Sequence, residues 1–122
     1  MKKVAMIRCE KNQDRCPLTS CFNCLREKKE GFSSYDETQL AGVFTCRCPG
    51  DIAVEHAKIL KSKGADVIHF CTCAFAKKKD GEWVMDDGGL CEHIDDLIKR
   101  VSDGAKISCV KGTAHLPKNY NI

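Results

Sequence analysis

The chain has 122 residues and a formal charge of +3. That length fits one small domain, and the evenly mixed charge makes no case for a nucleic-acid surface. No stretch approaches the apolar length that crosses a membrane.

Residues 4–9, "VAMIRC", form a short apolar run that reads as a buried strand ending in Cys9. The apolar part, "VAMI", is too short for a signal-peptide core. Residues 10–38 are polar and hold "CPLTSCFNC". They promise a short helix around 21–30, with cysteine ligation as a constraint on the irregular remainder. "LAGVFTC" (40–46) is the second predicted strand. A helix over 50–64 follows, with Asp51 as N-cap, a stripe of Ile52, His56, Ile59 and Leu60, and Gly64 as stop. "DVIHFCTC" (66–73) is the third strand. The polar stretch "KKKDGEWVMDDGG" suggests a small hairpin. A helix is predicted over 90–102, with Cys91 in its first turn and Leu90, Ile94, Leu97, Ile98 and Val101 facing inward. "KISCV" (106–110) is the last strand.

Strands alternating with helices predict an α/β fold: a small single domain with a mostly parallel sheet, βαβ units and a Cys-rich N-terminal excursion. In such sheets the functional crevice lies beyond the carboxyl ends of the strands. Three predicted strands end in cysteine, at Cys9, at Cys46 with Cys48, and at Cys71 with Cys73. If the strands are adjacent and parallel, those ends converge on one patch.

Ten cysteines dominate the chemistry. In a reducing cytoplasm, the expected location, thiols stay free unless metal or catalysis uses them. Residues i and i+2 of a strand point the same way. Each C-x-C pair therefore offers two thiols to one side, and two such pairs supply the four soft ligands of a zinc or iron–sulfur site. The C-x4-C-x2-C spacing of Cys16, Cys21 and Cys24 matches part of a ferredoxin-type pattern. Cys48 precedes a predicted helix N-terminus, which would lower its thiol pKa and suit it equally as ligand or nucleophile. His115 lies just after the last strand and is a suitable ligand type. His56 and His69 sit on apolar faces and read as packed histidines, and Cys71 and Cys109 as small buried hydrophobes.

Taken in order, "IRCE", "RCPLTSCF", "CPGD", "KGADVIHFCTC", "CEHID" and "GTAH" resemble the CGGC domain family over nearly the whole chain. The resemblance implies one CGGC-like domain over 1–122 and a metal-binding role, zinc having been suggested for the family. By matched motif it implies Cys9, Cys16, Cys21, Cys48, Cys73, Cys91, His93 and His115 as family positions. The motif that names the family is altered: Thr45-Cys46-Arg47-Cys48 stands where CGGC is expected. Cys46 then replaces the lost ligand, which gives a candidate metal set of Cys9, Cys16, Cys21, Cys46, Cys48, Cys73, Cys91, His93 and His115.

The leading expectation is therefore a small cytoplasmic metal-binding protein with zinc as cofactor and an iron–sulfur cluster as the alternative. The metal ion is the expected partner; a membrane or nucleic acid is not. A thiol redox protein or enzyme using Cys48 as its reactive thiolate is the competing reading. A purely structural metal domain is the third.

Overall fold

The computed structural model describes residues 1–118 and 120. Its main sheet has four parallel strands in the order β2-β1-β3-β6. These are β1 (Lys2–Cys9), β2 (Thr38–Cys46), β3 (Val67–Phe70) and β6 (Ser108–Lys111). Between them run α1 (Thr19–Glu27), α2 (Ala53–Ser62) and α3 (Ile94–Ala105), and β4 (Lys77–Lys79) pairs with β5 (Glu82–Val84) as an antiparallel hairpin. The α/β class, the parallel sheet and the hairpin follow the sequence reading.

Alternation along the strands divides the core in two. Ala5 and Ile7 of β1, with Ile68 and Phe70 of β3, pack beneath α2 and α3. Val4 and Met6 of β1, with Val67 of β3, pack beneath α1 with Leu18, Leu25 and Phe32. One helix thus covers one face of the sheet and two cover the other.

The boundaries differ where local chemistry competes with periodicity. The N-cap of α2 is Ile52, not Asp51. Its buried residues are Ala53, Ala57 and Leu60, whereas Ile52 and Ile59 are exposed. Small alanines let the helix lie close to the sheet, and Gly64 ends it with φ +102°. β3 stops at Phe70, and Thr72–Ala74 turn as a short 3-10 segment. Cys71 and Cys73 are therefore not the extended pair that their spacing suggests. α3 begins at Ile94, so Cys91 lies in the loop before it and not in a helical turn. Within the segment between β1 and α1, the Arg8 guanidinium reaches across to the carbonyls of Asn12 and Cys16.

Candidate functional site

Parallel pairing sets Cys9 directly beside Cys46 in the register of β1 and β2. Cys9 continues the Ala5–Ile7 parity, and Cys46 packs on the α2/α3 core. The chain then turns through Arg47–Gly50, where the Gly50 N–H donates to the Arg47 carbonyl at 2.6 Å. Arg100 of α3 anchors this turn by donating to the Pro49 carbonyl at 3.3 Å and to Asp51 at 3.4 Å. Gly50 has φ +91° and stands against Leu97 and the Cys46 sulfur, where a side chain would intrude.

Across the turn, Cys91 is placed by backbone bonds from the loop before α3. Leu90 N–H donates to the Cys73 carbonyl at 2.9 Å, and Cys91 N–H to the Ala74 carbonyl at 3.0 Å. His93 Nε2 lies 3.2 Å from the Pro49 carbonyl. A carbonyl only accepts, so Nε2 carries the hydrogen and Nδ1 keeps the lone pair. Cys9, Cys46, Cys48, Cys91 and His93 thereby line one cavity of about 20 Å³, floored by Ile7, Phe70 and Leu97.

These thiols feel one another. Burial pushes Cys46 up to about 11, with Cys91, Cys9 and Cys48 adding to the rise. Cys91 is also raised, by burial first and by Cys9 and Cys48 in addition. Two thiols, Cys46 and Cys91, that resist ionising beside other cysteines and an imidazole are chemically suited to a thiophilic cation, which removes their protons and compensates their charge. As placed, no three His, Cys, Asp or Glu side chains among the described residues form a group that could hold a metal ion. The donor chemistry fits zinc, and the coordination group is not preassembled.

The other candidates lie apart from this cavity. Cys16, Cys21, Cys71, Cys73 and His115 line a second cleft of about 300 Å³ with Trp83, Thr113 and Ala114. Cys21 Sγ lies 3.2 Å from Thr113 Oγ1. A hydrogen bond from Cys71 lowers the Cys21 pKa, helped by Thr113 and the Ala114 backbone and opposed by burial. The same bond raises Cys71, which is almost fully buried. Cys73 is pushed up to about 11 by burial, with a hydrogen bond to Asn12 in partial opposition. His115 is exposed and stacks on Trp83 with ring centroids 5.1 Å apart. The strand-end thiols thus meet in two adjoining groups with Cys73 between them, its pKa raised further by Cys21 and Cys16 of one group and by Cys9 of the other.

Cys48 is exposed and lies ahead of the Ile52 cap of α2. Cys109 is pushed up to about 11 by burial, packs on the α2/α3 core and lines neither cavity, as a small packed hydrophobe should. His69 is fully buried between Tyr35 and Gly112, at 2.6 and 2.7 Å. His56 stacks on Phe44. His69 is thus the satisfied packed histidine expected, whereas the buried Nδ1 of His56 has no hydrogen-bond partner among the described residues. The sequence reading missed Thr113 and Arg100. Thr113 was legible only within "GTAH", where Gly112 at φ +131° turns the chain so that Thr113 crosses the end of β3.

The CGGC domain model matches residues 3–114. The chain belongs to the CGGC domain family. The matched span runs from β1 to the Thr113–Ala114 strap and so contains both thiol groups. No curated protein and no solved structure matches the chain significantly. No helix of the described residues is long and apolar enough to cross a membrane.

Proposed function

We propose that this CGGC domain binds a single thiophilic divalent cation, zinc first, between the carboxyl ends of β1 and β2 and the loop before α3. Cys9, Cys46, Cys48, Cys91 and His93 supply the donors. Cys16, Cys21, Cys73 and His115 stand outside this set because they lie at the other cleft. The observation that carries the reading is the Cys9–Cys46 register, which brings two thiols from separate strands into one cavity with two more thiols and an imidazole.

Size favours one ion over an iron–sulfur cluster. A cavity of about 20 Å³ holds roughly one water-sized sphere. Cys46 takes the place of the family's missing first cysteine, one residue later in the chain and in register with Cys9. When bound, the ion would supply positive charge that compensates neighbouring thiolates and crosslinks strand, turn and loop. The protein's own contribution is to orient His93 through the Pro49 carbonyl and to fix the turn through Arg100. The reading places the protein in a reducing compartment such as the cytoplasm, where these thiols stay reduced.

Cobalt(II) titration of the metal-free protein tests it. Thiolate–cobalt bonding gives a near-ultraviolet charge-transfer band and a tetrahedral visible band. Both bands should form in wild type and in Cys109→Ser and weaken in Cys48→Ser. A Cys109→Ser loss larger than the Cys48→Ser loss would contradict the assignment.

A further inference from the structure

The second thiol group is organised by hydrogen bonds around one sulfur. Cys21, in the first turns of α1, meets Cys71, the residue after β3. Both residues line the same cleft and share one buried cluster, and their interaction lowers the Cys21 pKa while raising that of Cys71. Thr113 Oγ1 lies 3.2 Å from Cys21 Sγ and already accepts the Thr72 N–H at 3.3 Å. The Thr113 hydroxyl hydrogen is thereby left for the sulfur. Hydrogen bonds to the charged form favour that form, so Cys21 is held as the nucleophile with Cys71 already against it. The pair adjoins the cleft of about 300 Å³ walled by Leu18 and by Trp83 stacked on His115. That volume is at the lower end of small-molecule sites, roughly 300–1,000 Å³. Both sulfurs are buried, but Cys21 at 9% exposed is more accessible than Cys71 at 1%, so Cys21 is the one an incoming molecule meets first.

The geometry points to a dithiol that exchanges with low-molecular-weight disulfides, Cys21 attacking and Cys71 resolving. In the first step the Cys21 thiolate attacks one sulfur of R–S–S–R. A Cys21–S–R bond forms, the original S–S bond breaks, and RS⁻ leaves to take a proton from solvent. In the second step Cys71 attacks Cys21 Sγ as its proton passes to the departing RS⁻. A Cys21–Cys71 bond forms and the Cys21–S–R bond breaks. The protein pair loses two electrons, the small disulfide gains them, and two RSH molecules leave. The pair packs in the cluster beneath α1, whereas Cys46 and Cys91 of the proposed metal cavity pack on the cluster beneath α2 and α3.

The test treats the anaerobically purified full chain with oxidised glutathione, quenches in acid, alkylates and maps the peptides by mass spectrometry. A Cys21–Cys71 disulfide is expected, with both halves of the glutathione released. Cys71→Ser should stop at a Cys21–glutathione mixed disulfide, and Cys21→Ser should lose both products. Full alkylation of Cys21 and Cys71, whether other thiols are oxidised or none react, overturns the proposal. If Cys71→Ser does not fold, the wild-type map decides alone. Metal content measured on the same samples reports separately on the proposed metal cavity.

Discussion

Cys9 and Cys46 are register partners at the ends of two neighbouring parallel strands, on the face covered by α2 and α3. Adjacent strands lie about 4.8 Å apart, and a zinc–sulfur bond is about 2.3 Å. One ion can therefore span the two sulfurs with small side-chain adjustments. Cys9→Ser and Cys46→Ser should each weaken metal affinity by more than the roughly 10- to 100-fold typical of residues that only support a ligand. The double variant should cost less than the two losses added, because both remove the same clamp. Competition against a calibrated chelator measures all three; additive, small losses would count against a shared ion.

The metal-free protein should lose stability as pH rises from about 9 to about 11. Cys46, Cys73 and Cys109 ordinarily ionise near 9.0 and are each pushed up to about 11 in the fold, by burial first. Between those values the unfolded chain has released protons that the folded chain retains, so alkali favours unfolding. The stabilising effect is complete below about 9 and lost as pH passes about 11. Urea midpoints across this window should fall for wild type and fall less steeply for Cys109→Ala. A flat profile in wild type would show that these thiols are not buried as described.

A second pH dependence lies on the acid side. His69 is lowered to about 4 by burial, against its Gly112 hydrogen bond. The Gly112 carbonyl fixes the hydrogen on Nδ1, so Nε2 accepts from the Tyr35 hydroxyl at 2.6 Å. Below its ordinary value of 6.5 the unfolded histidine charges while the folded one does not. Stability present above 6.5 should thus drain away as pH falls toward about 4. Tyr35→Phe should cost about 1 kcal/mol at neutral pH through the lost hydrogen bond. Thermal melts of both proteins from neutral to acid pH check this; an unchanged Tyr35→Phe midpoint would remove Tyr35 as partner.

Gly89 sets the loop that delivers Cys91. A Cβ there would stand 2.5 Å from the Cys73 carbonyl and 2.6 Å from the Ala76 nitrogen, both backbone atoms. Gly89→Ala should destabilise the fold by about 1–3 kcal/mol and lower metal affinity as Cys91 is displaced. Affinity unchanged in a folded Gly89→Ala protein would place Cys91 outside the ligand set.

The strands and their mostly parallel sense were legible because apolar runs ending in cysteine alternate with amphipathic segments; the order β2-β1-β3-β6 was not. Nor was the division of the thiols into two groups. It depends on strand parity and on where β3 stops, and the C-x-C spacing looks the same in a strand as here, where Cys71 is still extended and Cys73 lies in a 3-10 turn. Ile52 and Ile59 suggested a buried stripe, yet Ala53 and Ala57 are the residues that let α2 approach the sheet. Residue type predicted burial less well than the need for close packing. Thr113 and Arg100 act through contacts 41 and 51 residues away in sequence, to Thr72 and Pro49. No local pattern encodes such distant pairs.

The most direct test of the central claim is elemental analysis of the full chain purified anaerobically without chelator, paired with its visible spectrum. A colourless protein with about one zinc per chain is predicted, with cavity thiols protected from titration until the metal is removed. Metal-free protein in which all ten cysteines titrate freely would contradict the account. A brown protein with broad visible absorption would replace the single ion with an iron–sulfur cluster.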